Sequence, residues 1–192
     1  MEAISIKLTG LFDLTDNALL LLSQINKNLR LEKNSFGDLI IMTPTGGGTG
    51  YRNFSLTGQL FNWIRLTKSG MGFDSSTGFK LSNGAIRSAD AAWVATARWE
   101  QLTLEEQESF PPLCPDFVVE LMSKTDHLNP AQEKMAEWMA NGCRLGWLLD
   151  RKKEQLHIYR ANGTTEIIPS FDGLASGEEV LPGFSLDLRE LR

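Results

Sequence analysis

Cysteine and histidine are scarce in this chain of 192 residues, which contains two of each. Cys114 and Cys143 are far apart in the sequence and lack the spacing of metal ligands, which argues against a zinc site and against a disulfide framework. His127 and His157 are separated by a predicted helix and a predicted strand, so they form no pair of ligands either. Two isolated cysteines suit a reducing compartment.

An excess of positive charge is also absent. The chain has 19 Lys and Arg against 24 Asp and Glu, and its formal net charge is −5. A protein that coats DNA non-specifically needs an overall basic surface, so this class is excluded. An enzyme that contacts DNA transiently, through metal ions or through a local basic face, is not excluded.

Long apolar runs are missing as well. The run ALLLL at 18–22 is too short to span a bilayer. Glu2 stands where a signal peptide would have basic residues. We therefore expect a cytoplasmic protein that does not enter a membrane.

What is present indicates a folded domain. Hydrophobic residues make up 42% of the chain and charged residues 22%, which is typical of soluble globular proteins. Apolar patterns, caps and turns predict helices near 16–28, 51–69 and 130–141, with strands between and after them. This order predicts an α/β (α+β) fold, with a mixed β-sheet flanked by helices in a single domain over 1–192.

One predicted strand, in the segment PDFVVELM at 115–122, carries carboxylates among apolar residues. Side chains alternate between the two faces of a strand, so Glu120 shares a face with Val118 and Met122. Glu120 is either an exposed position on a half-solvated strand or a metal ligand, since a buried carboxylate needs a partner or a cation. Asp116 spells "PD" with Pro115, but it stands at the start of the strand, where a structural role is the simpler interpretation.

A lysine follows on the next predicted helix. Asn129 is a suitable N-cap and Pro130 suits the first helical position. Lys134 lies at the border of the apolar stripe, so its stem could cover apolar surface while its ammonium group reaches back toward the strand. A solvated surface lysine is the alternative.

A third unusual position is Asp90, which stands among small and apolar residues in SADAAWVA at 88–95. It is either a turn or bulge residue or a second acid beside Glu120. Two carboxylates can hold a magnesium ion against a phosphate, and a lysine can orient the attacking water or stabilise the developing charge. The three residues are more informative as a set than singly.

The segments SADAAWVA, PDFVVELMS and QEKMAEWMANGCRLGWLLDRKKEQLHIYR together resemble the Uma-two family of endonucleases, in the PD-(D/E)XK, or restriction-endonuclease-like, superfamily. The resemblance runs from about residue 37 to the LPGFSLDL ending. It implies a restriction-endonuclease-like mixed β-sheet core flanked by helices, in the order αβββαβ.

The resemblance also implies roles for individual residues. Asp90 and Glu120 match the two acids that bind the metal, joined by the backbone carbonyl of Leu121. The usual motif has a lysine two residues after the second acid, where this chain has Met122; in the Uma-two family the lysine has moved to the following helix, which makes Lys134 the catalytic candidate. The first helix of the core often adds a polar group, for which Arg52 and Asn53 are the nearest candidates.

The leading hypothesis is a Mg²⁺-dependent endodeoxyribonuclease, with Mn²⁺ as an alternative ion and DNA as its substrate. Met122 and the acidic composition leave a second hypothesis open, in which a catalytically degenerate nuclease fold binds nucleic acid or protein. A third is a homodimeric scaffold that assembles through the hairpins after Gly142.

Overall fold

The computed structural model describes residues 4–42 and 44–192; Glu2 and Thr43, the latter within the predicted second strand, lie outside the described residues. The helices are α1 (Asp16–Ile25), α2 (Gly47–Thr67), α3 (Thr96–Trp99), α4 (Leu104–Gln107) and α5 (Leu128–Ala140). The strands are β1 (Ile4–Ile6), β2 (Arg30–Lys33), β3 (Leu39–Met42), β4 (Gly70–Asp74), β5 (Phe79–Lys80), β6 (Ile86–Arg87), β7 (Ala91–Ala95), β8 (Phe117–Leu121), β9 (Leu145–Asp150), β10 (Gln155–Arg160), β11 (Thr165–Ile168), β12 (Leu174–Ser176) and β13 (Ser185–Asp187). A short 3₁₀ helix, Leu188–Leu191, follows β13.

The main sheet has six strands in the order β11-β10-β9-β8-β7-β4. All neighbours in it are antiparallel except β8 and β9, which run parallel. A parallel connection needs a crossover, and α5 provides it. The segment α2-β4-β7-β8-α5-β9 therefore has the predicted αβββαβ order, and the mixed sheet flanked by helices is confirmed.

Helices cover both faces of the main sheet. On one face, Met135 and Trp138 of α5 pack against a cluster that includes Val118 and Met122. On the other face, α2 packs against a cluster that includes Phe117, and the C-terminal segment completes that layer. The alternation predicted along β8 is therefore confirmed.

A second sheet of five strands has the order β1-β3-β2-β6-β5, and its neighbours are all antiparallel. Leu19 of α1 packs against it together with Leu31 of β2 and Ile86 of β6. The hairpin predicted around Asn83 and Gly84 forms between β5 and β6, but it belongs to this second sheet. Gly84 has a φ of 85°, a value that glycine adopts without strain.

Two helix boundaries differ from the sequence prediction. The glycine-rich segment was expected to be a connection, yet α2 begins inside it at Gly47. Burial of Leu56, Leu60 and Trp63 anchors the helix and overrides the weak local propensity of glycine. Helix α5 begins at Leu128, so Asn129 lies inside the first turn and is not the N-cap.

The two cysteines, distant in sequence, meet in space. Cys114 donates its thiol hydrogen to the carbonyl of Trp138, to which the backbone N–H of Cys143 also donates. Both thiols are free and buried, and burial together with the Cys114 thiol raises the pKa of Cys143. Thiols in this state are inert, which agrees with a structural role.

Candidate active site

The sheet register brings the two candidate acids together. Ala91 of β7 pairs with Val119 of β8, and the antiparallel register places Asp90 beside Glu120. The backbone N–H of Asp90 donates to the carbonyl of Val119 at 3.0 Å. Asp90 thus stands where β7 begins and Glu120 near the end of β8, so one end of this strand pair carries both carboxylates.

The carboxylate of Asp90 is held on both oxygens. Oδ2 accepts from the backbone N–H of Leu121 at 2.8 Å, and Oδ1 accepts from Nδ2 of Asn53 at 3.3 Å. The guanidinium group of Arg30 lies 3.8 Å from Oδ1. The Oδ1 atom of Asn53 is buried and has no hydrogen-bond partner among the described residues. The hydrogen bonds from Leu121 and Asn53 fix the position of the Asp90 carboxylate.

Of the two weaker candidates on the first core helix, only Asn53 reaches the site. Arg52 donates instead to the carbonyl of Leu191, at 2.9 Å, and ties α2 to the C-terminal segment.

Lys134 reaches from α5 to the end of the sheet. Its Nζ lies 3.0 Å from Oε1 and 3.2 Å from Oε2 of Glu120. It also donates to the carbonyl of Ser88 at 2.7 Å and to Glu32 at 3.2 Å. Although burial lowers the pKa of Lys134, the charges of Glu120 and Glu32 outweigh this effect and raise it above the usual value. An ammonium group with these acceptors is a fixed positive charge rather than a base.

The pKa of Glu120 is strongly raised. Burial, the largest cause, raises its pKa to about 7; the Lys134 ammonium opposes this shift, and the charges of Asp90 and Glu32 add to it. The indole N–H of Trp138 donates to Oε1 at 2.9 Å. Strongly shifted carboxylates in a cleft are typical of functional sites.

Sequence reasoning missed Glu32 on β2, whose side chain is only 2% exposed. It accepts from Lys134, from Arg87 at 3.1 Å and from the backbone N–H of Ser88 at 3.1 Å. Burial raises its pKa, but the Lys134 and Arg87 charges and the Ser88 hydrogen bond outweigh this and lower it overall. Arg87 continues the network to Glu137 on α5, at 2.5 Å. Through Glu32, the second sheet therefore also holds the catalytic candidate Lys134.

Leu121 presents its backbone to the same region. The N–H of Met122 donates to Leu149 of β9, so the backbone groups of the preceding residue face the other way, toward Asp90. Met122, at the usual motif position of the lysine, is 3% exposed. Its side chain packs with α5, while Lys134 supplies the positive charge beside Glu120.

Asp90, Glu120, Lys134 and Glu32 line an open cleft of about 740 Å³ between the two sheets. Within residues 4–42 and 44–192, no three His, Cys, Asp or Glu side chains are placed to share a metal ion. This argues against a metal held entirely by side chains, such as structural zinc. Two carboxylates and a carbonyl oxygen still match the donors that Mg²⁺ prefers, because Mg²⁺ keeps several waters and takes few protein ligands.

The literal "PD" aspartate lies outside the cleft. Asp116 is completely buried, accepts from the backbone N–H of Ala95 at 2.9 Å, and lies 3.0 Å from Arg98 and 3.5 Å from Arg144. It fixes the start of β8 and has the structural role that the sequence favoured.

Comparison with known proteins now identifies the family. A family model described as "Uma2: Putative restriction endonuclease" matches residues 17–189. The chain belongs to the Uma2 family. The resemblance noted from SADAAWVA and the segments after it is therefore confirmed over most of the chain.

A solved structure supports the Uma2 fold independently. It is described as "a putative nuclease belonging to DUF820 from Anabaena variabilis ATCC 29413" and superposes with a TM-score of 0.70. The match covers 84% of this chain and 88% of that chain at 16% sequence identity, so it shows a shared fold. A search of curated proteins finds no significant match. The Uma2 family description supports a nuclease.

Proposed function

We propose that this Uma2 protein is a metal-dependent endonuclease that hydrolyses DNA phosphodiester bonds in the cleft around Asp90, Glu120 and Lys134. One observation carries the proposal: Lys134 lies within hydrogen-bond distance of Glu120, and Asp90 binds the amide of the residue that follows Glu120. Asp90, Glu120 and Lys134, which are distant in the sequence, therefore lie close together in the fold.

Asp90, Glu120 and the carbonyl oxygen of Leu121 would hold the ion, which is Mg²⁺ or Mn²⁺. When bound, the ion supplies charge stabilisation for the phosphate and a nucleophilic water at neutral pH. Hydrogen bonds from Leu121 and Asn53 orient the Asp90 carboxylate, and Trp138 orients that of Glu120. Such orientation by neighbouring groups strengthens metal binding.

Lys134 would position the attacking water and stabilise negative charge that develops on the phosphate. Its ammonium group is held by Glu32 and by the carbonyl of Ser88, so it keeps its place when Glu120 turns toward a cation. Preorganised positive charge of this kind lowers a barrier most where water is excluded.

Nicking of supercoiled plasmid and cleavage of single-stranded DNA, each with Mg²⁺ or Mn²⁺, test the proposal. Asp90→Asn and Glu120→Gln should each abolish metal-dependent cleavage. The exposed acids Asp13 and Glu105 offer matched controls, since Asp13→Asn and Glu105→Gln make the same chemical changes away from the cleft. If Asp90→Asn and Glu120→Gln both cleave at the wild-type rate, the assignment is overturned.

A degenerate nuclease fold that only binds its partner is the second candidate, favoured by the buried Met122 at the usual lysine position. DNA binding by wild-type protein with no cleavage under any divalent ion would select it.

The homodimer expected from the sequence has a candidate surface in β11, a strand at the free edge of the main sheet whose Ile167 is 51% exposed. Mass measurement of wild type and of Ile167→Lys tests that assembly.

A further inference from the structure

A second cavity, of about 580 Å³, lies directly beside the cleft. It is formed by α1, the strands β2 and β3 and the segment after β4. Its volume lies in the range of small-molecule sites, which is about 300–1,000 Å³. We call it the side cavity.

Residues that contact the candidate catalytic groups lie between the side cavity and the cleft. Arg30 lines both spaces, 3.8 Å from Asp90. Asn53 lines the side cavity and donates to Asp90, and Ser88 lines it while its carbonyl accepts from Lys134. A chain-like ligand could therefore occupy both spaces with one of its units at Asp90.

The two spaces differ in the balance of charge that lines them. The cleft is lined by six carboxylate side chains and by the three cations Arg30, Arg87 and Lys134. Among the described residues, the side cavity is lined by the cations Lys27 and Arg30 and by no Asp or Glu. In a chain of net charge −5, a cavity that has cations and no acids is complementary to an anion.

The uncharged lining narrows the kind of anion. Seven serine and threonine side chains reach the side cavity, and leucines together with Phe110 provide apolar surface. Hydroxyl groups suit a sugar or a phosphate, and apolar or aromatic surface suits the face of a base. A free inorganic anion would make no contact with this apolar surface. A nucleotide would contact the cations, the hydroxyl groups and the apolar side chains.

We propose that the side cavity binds one unstacked nucleotide of the substrate strand, next to the phosphodiester that is cleaved at Asp90. This inference rests on the proposed nuclease function and specifies its substrate class as single-stranded or locally unpaired DNA. A nucleotide in a duplex would first have to leave the stack, which costs a few kcal/mol, so single strands bind more tightly.

The test measures binding separately from cleavage. The probe is a fluorescein-labelled single strand of about eight nucleotides, compared with its duplex, and anisotropy is recorded in EDTA so that no cleavage occurs. Inorganic phosphate and a deoxynucleoside monophosphate serve as competitors. Thermal unfolding of each variant confirms that it is folded.

Two variants alter the side cavity without touching the candidate catalytic residues. Ser23→Phe fills it from α1, and Lys27→Glu reverses the charge of an exposed residue, so the fold is preserved. Gln24→Phe and Lys7→Glu are the matched controls, at exposed positions that do not line it. We expect each cavity variant to bind the single strand roughly tenfold more weakly, and the controls to bind as wild type does.

Equal affinity of wild type and Ser23→Phe, or an equal loss in Gln24→Phe, would overturn the inference. So would competition by inorganic phosphate as strong as that by the deoxynucleotide, because it would indicate an anion site only. These results leave metal-dependent plasmid cleavage untouched. Conversely, weakened binding by both cavity variants together with a wild type that never cleaves would support the nucleotide site and refute the nuclease.

Discussion

The ammonium nitrogen of Lys134 lies 3.0 Å from Oε1 of Glu120, although one residue belongs to a helix and the other to a strand. The usual motif places both groups on the same strand, two residues apart. Here the buried Met122 occupies that strand position. The crossover helix α5 instead places the ammonium group of Lys134 beside Glu120. The relationship between the two residues is therefore made by tertiary structure.

Lys134→Met should lower metal-dependent cleavage by at least about a hundredfold, because it removes a preorganised charge beside the phosphate. Methionine keeps most of the stem, so the packing of α5 is preserved. Single-turnover cleavage rates measure the effect. Lys153→Met, which changes an exposed lysine in the turn after β9, is expected to cleave normally; a similar loss in both variants would assign the effect to general charge.

Glu32→Gln should reduce kcat while leaving the KM for DNA nearly unchanged, since Glu32 positions Lys134 and does not touch substrate. The substitution removes a buried charge that Arg87 and Lys134 share, although they keep Glu137 and Glu120 as partners, and the free energy of unfolding should fall by about 2 kcal/mol. Cleavage kinetics and urea unfolding measure the two effects. An unchanged kcat in folded Glu32→Gln would remove Glu32 from the site.

Calorimetric titration with Mg²⁺ or Mn²⁺ should detect one site in the wild type and none in Asp90→Asn. The carboxylate oxygens of Asp90 are hard donors of the kind that Mg²⁺ binds, and the amide of asparagine has no charge. Asp13→Asn should bind as the wild type does. Retention of the full heat of binding in Asp90→Asn would place the ion elsewhere.

Asp116→Asn should behave in the opposite way to Asp90→Asn. The substitution removes the charge that pairs with the partly exposed Arg98 and Arg144 and weakens the hydrogen bond from Ala95, so the free energy of unfolding should fall by about 2 kcal/mol. Below the unfolding temperature, the folded fraction should cleave at the wild-type rate. Cleavage at low temperature, normalised to the folded fraction, distinguishes this structural aspartate from a catalytic one.

The stability of the chain should depend on the ionisation of Asp16 at the start of α1. Burial raises the pKa of Asp16, but hydrogen bonds and charges from Lys33 and Lys80 outweigh this and lower it. A lowered folded pKa gives stability that is present above the unfolded pKa, about 3.9, and lost as pH falls through the folded pKa. The free energy of unfolding of the wild type should exceed that of Asp16→Asn by about 1 kcal/mol at pH 7, and the difference should vanish as the pH falls through the folded pKa of Asp16. Urea unfolding across this pH range measures it; a constant difference would contradict the ion pairs.

Much of the main sheet could be predicted because its signals are local. A nearly continuous apolar run defines β8, and the apolar positions of α5 recur at helical spacing. The resemblance then linked Asp90, Glu120 and Lys134, which register and crossover bring together in the fold. Asp116 was also separated correctly from the acids of the cleft.

Glu32 and Arg30 could not be predicted in the same way. Both lie on β2, where alternation assigns a charged residue to the solvent face. Only the packing of the second sheet over the end of the main one turns that face into the wall of a cleft. The start of α2 at Gly47 was missed for a related reason, since the helix is anchored by Leu56, Leu60 and Trp63, which are buried further along it.

The indole of Trp138 has a consequence for experiments without labels. Its N–H donates to Glu120, so we expect the fluorescence emission of this side chain to change with the charge of that carboxylate. The chain contains five tryptophans, and Trp→Phe substitution of the other four would isolate the signal. Arrival of a cation at Glu120 could then be followed in real time by the light that the protein itself emits.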